Sequence, residues 1–424
     1  MEIISASVAL PMTSGAPVLK NGAVAIELGK IYAFGTLDEV KWQYPSATIK
    51  NYDGCVLMPG LVNAHCHLDL VNFYNISVPQ DDPLNTRVDF IESLITSIDY
   101  KQDADSKAVI DGIQKGISRL IETGVTCVGD MTHFEGTFKL LREMGLRAIV
   151  YPEILAGRGE HAQQRFEVAL ALLEKYTDAT HDRIRVGLGP YAPYLLSRNL
   201  LKIISQHAKE SSIPLVIHAA ESFSEMEFFF DSEGPIANEV FPSLGWKELP
   251  PAFRKTPISF LSEIGFFDAP TTVIGALHLS DSDLSHMARN LVKVVYCPSS
   301  NRIMKHGNFP YGKLAEHGIP VGMGTDCWQS KLGFNMWHEM RTAVECASDP
   351  LPTCKEALQM ATIGSARAMG LDHIIGTLEP GKKADLIAVA LPDIPCNDSI
   401  YDTMIKNIDP QHVKLVLVGG NVLK

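Results

Sequence analysis

The sequence predicts a (β/α)8 barrel of roughly 250 residues, together with a small β-sandwich built from both ends of the chain. Strand-like apolar runs alternate with amphipathic helical stretches through the central part. The chain of 424 residues is long enough for a barrel and one smaller module. Both ends contain short strand-like pieces separated by Gly and Pro. We therefore expect the barrel at residues 56–375 and the two parts of the β-sandwich at residues 1–55 and 376–424.

The central region contains apolar, β-branched runs with helical stretches between them. The runs are Val56–Leu61, Val125–Met131, Arg147–Leu155, Ile184–Pro190, Pro214–His218, Thr272–His278, Val292–Cys297 and Pro320–Gly324, and the helical stretches include Ser106–Glu122, Gln163–Tyr176, Arg198–Glu210, Ser280–Leu291 and Tyr311–His317. This alternation indicates parallel strands that are covered on both faces. An open doubly wound sheet would usually carry a Gly-rich phosphate loop after its first strand. Here the first run leads into Asn63-Ala64-His65-Cys66-His67, which favours the barrel.

The two ends of the chain differ from the centre. The pieces Gly22–Glu27 and Lys30–Gly35 lie near the start, and Asp385–Ala390 and Val413–Val418 lie near the end. Neither set is long enough to form a stable sheet alone. We therefore expect the two sets to pack together as one module.

The composition excludes several classes of protein. Apolar residues make up 46% and charged residues 20%, which is typical of a globular chain and not of a disordered one. A net charge of −12 argues against a partner that is nucleic acid or anionic lipid. No apolar stretch approaches the roughly 20 residues of a membrane span, and the first residues lack the basic region of a signal peptide. The eight cysteines are scattered singly, which predicts a reduced, cytoplasmic protein.

Metal-type side chains recur at the carboxyl ends of the predicted strands. They are His65 and His67 after the first run, His218 and Glu221 at the fifth, His278 at the sixth and Asp326 after the eighth. In a barrel these ends converge on one mouth, where active sites are built. Two histidines at i and i+2 of an extended strand point to the same side, so one metal ion can accept both. The ten remaining histidines, His306 among them, are expected to be structural.

Three imidazoles and one carboxylate form a nitrogen and oxygen donor set. This set suits zinc or iron(II) rather than calcium or magnesium. The sequence contains no Cys-rich cage, which disfavours a closed structural zinc site and favours a catalytic site with an open position for water. A bound divalent cation lowers the pKa of water from 15.7 to about 7, and Asp326 beside it can ligate the ion and take the proton of the water.

These motifs resemble the amidohydrolase superfamily. The segments that carry the resemblance are Met58–Asp69, His218-Ala-Ala-Glu221, His278, Cys297-Pro-Ser-Ser-Asn301, Gly324-Thr-Asp326 and the closing stretch Gly376–Leu386. They are most similar to the cytosine deaminase-like branch, which includes deaminases of S-adenosylhomocysteine, methylthioadenosine and aminofutalosine, and triazine chlorohydrolases. The resemblance covers nearly the whole chain.

The resemblance assigns a role to each site residue. It implies that His65, His67, His218 and Asp326 are the metal ligands, that Glu221 is the proton shuttle, and that His278 holds the hydrolytic water or polarises the leaving centre. Binuclear relatives need a Lys at the end of the fourth strand, and the segment Gly187–Tyr194 contains none. We therefore expect one divalent ion per chain, zinc by preference with iron(II) as the alternative. A homodimer is implied only by the resemblance.

The same residues predict a reaction. An amino-substituted aza-aromatic carbon resists attack until its ring nitrogen is protonated, and Glu221 is placed to deliver that proton and carry another to ammonia. We therefore predict a metal-dependent hydrolytic deaminase, and the resemblance implies that its substrate is a purine nucleoside-like heterocycle. Tyr191, which replaces the His of the Pro-His-Ala-Pro-Tyr motif in many relatives, and Arg158 and Trp328 are the predicted substrate contacts. The alternatives are a chlorohydrolase, a cyclic amide or amidine hydrolase, and a metal-free scaffold relative.

Overall fold

The structure is a computed structural model that describes residues 1–73, 89–155, 162–177, 183–327, 333–348 and 350–424. Its strands within these ranges are, in chain order, β1 (Glu2–Ala9), β2 (Leu19–Lys20), β3 (Gly22–Glu27), β4 (Lys30–Thr36), β5 (Thr48–Pro59), β6 (Leu61–Cys66), β7 (Val125–Thr132), β8 (Arg147–Ile154), β9 (Ile184–Val186), β10 (Gly189–Pro190), β11 (Leu215–Ala219), β12 (Thr271–Gly275), β13 (Lys293–Tyr296), β14 (Val321–Met323), β15 (Leu386–Ala390), β16 (Val413–Val418) and β17 (Asn421–Val422).

The longer helices lie between these strands. They span Leu37–Gln43, Phe90–Asp103, Ser106–Glu122, Gly136–Met144, Ala162–Tyr176, Arg198–Glu210, Phe223–Asp231, Pro257–Glu263, Asp281–Arg289, Pro298–Ile303, Tyr311–Glu316, Met336–Cys346, Cys354–Gln359 and Ser399–Asn407. Short π-helical turns occur at Ile236–Val240 and Met360–Gly364. None of the helices in the described ranges has the length and apolar character that a membrane crossing requires.

The central strands form the predicted parallel barrel. The strands β6 to β10 make one sheet, and β11 to β14 make a second sheet in the order of the chain. Single parallel bridges join the sheets at both edges, Cys66 with Asp326 and Leu188 with Leu215. Because β9 and β10 are two pieces of one strand position on either side of Gly187 and Leu188, the barrel has eight positions.

The helix Ser106–Glu122 illustrates why the barrel is covered on the outside. Its buried apolar residues Val109, Ile113, Ile117 and Leu120 recur every three or four positions, so they form one face. The side chain of Asp105 accepts the backbone N–H of Ala108 and caps the helix. The neighbouring strand β7 is buried along its whole length, as a strand packed on both faces must be.

Both ends of the chain contribute to one eight-stranded sheet. Its order is β17, β16, β15, β5, β1, β3 and β4, with β2 beside β1. The strand β5 pairs in parallel with β1 and antiparallel with β15, so it joins the two ends. The pairing of the termini in one sheet is therefore observed.

The first barrel strand differs from the prediction. The run Val56–Leu61 was expected to be this strand, but residues 56–59 belong to β5, where Pro59 pairs with Leu386. The first barrel strand is β6, Leu61–Cys66. The chain changes sheet at Gly60, where a Cβ atom would lie 2.1 Å from the Thr126 hydroxyl, so no larger residue fits there.

A buried ion pair ties the terminal sheet to the barrel. Arg147, the first residue of β8, donates to both carboxylate oxygens of Asp385 at 2.7 and 3.0 Å, and both side chains are almost fully buried. Asp385 also accepts the backbone N–H of Gly419 at 2.8 Å. Asp385 therefore connects the barrel with the last two strands of the sheet.

Candidate metal centre and active site

Four ligand-type side chains converge at the carboxyl ends of the barrel strands. His65 lies near the end of β6, His67 follows that strand directly, His218 lies in β11, and Asp326 follows β14. The backbone N–H of Asp326 donates to the carbonyl of His65 at 3.0 Å, and the N–H of His67 donates back to the carbonyl of Asp326 at 3.3 Å. The closure of the barrel between β6 and β14 thus sets the spacing of these ligands.

One atom from each of the four side chains lies within 4.8 Å of the others. The Oδ1 atom of Asp326 is 3.5 Å from Nε2 of His65 and 3.6 Å from Nε2 of His67. All four residues are buried, with exposed fractions between 1% and 8%. A single cation can therefore contact all four donors in a site that is shielded from bulk water.

The donor atoms fit a metal ion chemically. Among the described residues, Nε2 of His65 and Nε2 of His218 are buried without a hydrogen-bond partner, and a buried polar atom without a partner costs free energy. Burial lowers the pKa values of His65 and His67, which keeps both imidazoles neutral. Burial acts to raise the pKa of Asp326, but the adjacent His65 and His67 outweigh it and hold the carboxylate ionised. Metal ligands need these protonation states.

Glu221 lies beside this group and is held at both carboxylate oxygens. Its Oε2 is 3.0 Å from Nδ1 of His218, and its Oε1 accepts from Nδ2 of Asn301 at 3.1 Å. Burial acts to raise the pKa of Glu221, but the imidazole of His218 outweighs it and lowers the value. The same pair raises the pKa of His218 against the effect of burial. Glu221 is therefore an ionised carboxylate at the edge of the ligand group.

Two adjoining spaces lie at the site. An inner cavity of about 30 Å³ is lined by residues that include His67, Tyr191, Glu221 and Asp326. It has room for water but not for a heterocycle. An outer groove of about 400 Å³ shares Phe90, Met304 and His306 with it.

Of the three residues predicted to contact the substrate, the structure describes one. Tyr191 lines the inner cavity, and its ring centroid lies 5.0 Å from that of His218 and 6.4 Å from that of His67. Arg158 and Trp328 lie outside the described residues.

The predicted water-holding histidine, His278, lies three residues beyond the end of β12 and is half-buried. Its Nε2 donates to the carbonyl oxygen of His306 at 2.8 Å, and it belongs to neither the four-ligand group nor the described lining of the inner cavity. Its role in catalysis stays a prediction.

Sequence reasoning missed several residues of the site. Asn301 entered the sequence argument only as the last residue of the motif Cys297-Pro-Ser-Ser-Asn301, yet its amide donates a hydrogen bond to Glu221. Ser300 donates to Oδ2 of Asp326 at 2.6 Å. His306, expected to be structural, lines both spaces, with its ring edge against Phe90 at a centroid distance of 4.8 Å. The position of Cys297-Pro-Ser-Ser-Asn301 directly after β13 was a signal for the first two, because strand ends carry the other ligands.

The comparisons with known proteins agree with this geometry. The model of the amidohydrolase family matches residues 56–423. The chain belongs to the amidohydrolase family. A curated member from Desulfitobacterium hafniense, 5-methylthioadenosine/S-adenosylhomocysteine deaminase, is 28% identical over 432 residues, which cover 100% of this chain and 93% of that protein.

Two solved structures of other enzymes share the fold. Helicobacter pylori aminofutalosine deaminase in complex with methylthio-coformycin superposes with a TM-score of 0.85 at 23% identity and covers 100% of both chains. Atrazine chlorohydrolase from Arthrobacter aurescens TC1, complexed with zinc, gives a TM-score of 0.82 at 20% identity, covering 100% of this chain and 95% of that one. The likeness to both structures shows that the chain shares their fold.

Proposed function

We propose that this amidohydrolase is a metal-dependent hydrolytic deaminase that releases ammonia from an amino-substituted nitrogen heterocycle. The observation that carries the proposal is the convergence of the four donors with Glu221 at one cavity. The deaminase activity named for the relative from Desulfitobacterium hafniense supports the same reaction class.

His65, His67, His218 and Asp326 would hold one divalent cation, which supplies a hydroxide-like nucleophile from water at neutral pH. We propose zinc, because three imidazoles and one carboxylate match the donors that zinc accepts. Metal analysis of the purified protein tests this choice against iron(II).

Two carboxylates of the chain, Asp326 and Glu221, carry out the proton transfers. Asp326, held ionised and bonded by Ser300, takes the proton of the attacking water. Glu221, ionised at rest, receives this proton of the water in turn and delivers it to the ring nitrogen. It then carries the second proton, from the hydroxyl left on the ring carbon, to the departing ammonia. Its bonds to His218 and Asn301 fix the carboxylate within reach of the cavity. Tyr191 lines the inner cavity, and its ring would contact the heterocycle only after this cavity widens on binding.

The substrate class is a purine nucleoside-like compound, of the aminofutalosine, S-adenosylhomocysteine or methylthioadenosine type. The groove of about 400 Å³ next to the inner cavity supports a substrate with a group attached to its heterocycle. The names of the relatives support a purine base.

An ammonia-release screen over aminated purines, nucleosides, pterins and pyrimidines tests the function, together with metal analysis. We expect ammonia from adenine-type nucleosides and about one equivalent of metal, both lost in His218→Ala. Chloride release from chlorotriazines, or ring opening of lactams, without ammonia release would instead assign the reaction of the alternative hydrolases. A folded chain without metal or turnover would identify a scaffold relative.

We also propose that the terminal sheet folds over as the expected β-sandwich, with modules at residues 1–55, 56–375 and 376–424. A shared apolar cluster supports this, because Ile4, Val24, Leu57, Leu386 and Leu417 from both ends of the chain pack together.

A further inference from the structure

A buried ion pair lies beside the metal-ligand group and has no part in the mechanism above. Nζ of Lys101 is 2.5 Å from Oε2 of Glu153, and the two side chains are 4% and 0% exposed. Glu153 lies near the carboxyl end of β8, and Lys101 lies in the last turn of the helix Phe90–Asp103. Lys101 and Glu153 are 52 residues apart in the chain, and their pair joins the helix to the barrel mouth.

Glu153 faces one of the proposed metal ligands. Its Oε2 is 3.7 Å from Nδ1 of His67, while Nε2 of the same ring lies 3.6 Å from Asp326 on the other side. The imidazole thus presents one nitrogen to the metal ligands and the other to a carboxylate. Within the described part of the chain, Nδ1 of His67 and Oε1 of Glu153 have no hydrogen-bond partner. The 3.7 Å separation is longer than a hydrogen bond, but a carboxylate that closes this gap fixes the tautomer and the orientation of a histidine ligand.

Lys101 supports this arrangement from the helix. The residues Phe90, Ser93, Leu94 and Ser97 line the inner cavity, and Lys101 follows one turn further along the same face. Its ammonium lies 5.7 Å from the ring centroid of Tyr191, on the cavity wall. The cation therefore balances the charge of Glu153 and contacts the ring that we propose binds the heterocycle.

Stability alone is a poor reason for such a pair. Taking two charges out of water costs several kcal/mol per ion, and apolar residues of similar volume often serve equally well. The pair is instead placed where one carboxylate can act on a metal ligand.

We propose that Glu153 is a positioning residue that orients His67 for metal binding, and that Lys101 holds Glu153 in place. This inference rests on the proposed metal site but not on the identity of the substrate. It predicts that metal affinity depends on Glu153 even when no substrate is present.

The test is the zinc dissociation constant, measured by competition with a chromophoric chelator in the full-length protein. Glu153→Gln removes the charge at constant size, and we expect zinc affinity to fall about 10- to 100-fold. The double variant Lys101→Met/Glu153→Gln removes both charges of the pair, and the buried Asp69, whose pKa burial raises and Lys101 lowers, can be protonated once that cation is gone. We therefore expect this variant to fold and to show the same loss. Asp385→Asn is the matched control, because it makes the same replacement in the remote buried pair with Arg147.

The control Asp385→Asn should have a lower melting temperature than the wild type but the same zinc affinity. A folded double variant that binds zinc as tightly as the wild type would overturn the inference, since the pair would then be only structural. The titration needs no substrate, so absence of deaminase activity alone leaves its result intact. A wild-type chain that binds no zinc would refute the proposed metal site itself.

Discussion

Replacing Glu221 with Gln separates its chemical role from its structural one. The Gln side chain has the same shape. Its carbonyl can still accept a hydrogen bond from Nδ1 of His218, which lies 3.0 Å from the carboxylate in the wild type. The amide nitrogen of the Gln would then face Nδ2 of Asn301, which lies 3.1 Å from the carboxylate in the wild type, so two hydrogen-bond donors would meet. Because Oδ1 of Asn301 has no partner among the described residues, rotation of that amide by half a turn supplies the missing acceptor. The variant should therefore fold and keep its metal.

The loss of turnover should be large because an amide cannot carry the proton. General acid–base catalysis contributes about 10²- to 10⁴-fold, which corresponds to roughly 3 to 5 kcal/mol of barrier. We expect Glu221→Gln to lower kcat by this factor and to change KM much less.

The assay is ammonia release at saturating substrate, with zinc content measured on the same sample. Glu233→Gln, the same replacement at an exposed position after the neighbouring helix, is the control and should retain wild-type turnover. If Glu221→Gln retained one zinc and turned over within tenfold of the wild type, Glu221 would not be the proton shuttle.

Three further changes test other parts of the site. Asp326→Ala should lose zinc and lower kcat by at least about 100-fold, and a variant with normal metal content and turnover would contradict its ligand role. Tyr191→His should change KM or substrate preference more than the reaction type; loss of turnover on every substrate would place Tyr191 in the catalytic core. Burial raises the pKa of Glu225 to about 8, so between pH 4.5 and 8 the folded state binds a proton that the unfolded state has lost. Glu225 should therefore make wild-type stability fall as pH rises through this window, by up to roughly 5 kcal/mol, and Glu225→Gln should show a smaller fall in urea unfolding between pH 5 and 8.5. Part of the fall should remain, because burial also raises the pKa of Glu339 to about 8; equal losses in variant and wild type would contradict the assignment.

Periodicity in the sequence was enough to predict most of the barrel. The helices Ser106–Glu122 and Arg198–Glu210 have the predicted bounds, because their apolar faces repeat at helical spacing. The first strand was misplaced because mostly apolar residues lie on both sides of the change of sheet, and residues 55–66 are all buried. Burial does not reveal which sheet a strand joins. The pair Pro59-Gly60 was the local signal of the crossing.

The site was predictable where chemistry coincides with strand ends. His65, His67, His218 and Asp326 converge as the strand-end argument predicted, because a closed parallel barrel brings all carboxyl ends to one mouth. The strand-end argument did not predict Lys101 and Glu153. Lys101 comes from a helix, and its partner Glu153 looked like part of an apolar strand, so neither residue belonged to a recognisable pattern.

The backbone around Glu221 indicates how the barrel fixes this residue. Ala220 and Ala276 have left-handed φ values of 53° and 56°, which cost roughly 1 to 2 kcal/mol each for a residue with a side chain. The carbonyl of Ala220 accepts the backbone N–H groups of Leu277 and His278 at 2.8 and 2.9 Å, which offsets part of that cost.

These two turns clamp the segment after β11 against the segment after β12. At Gly275, whose φ is +90°, a Cβ atom would lie 2.6 Å from Cβ of Glu221, so only glycine leaves room for that side chain. Asp326 is also left-handed, with a φ of 56°. Strained backbone therefore occurs at the strand ends that present Glu221 and Asp326, the carboxylates for which we propose proton transfer, where positioning matters more than local stability.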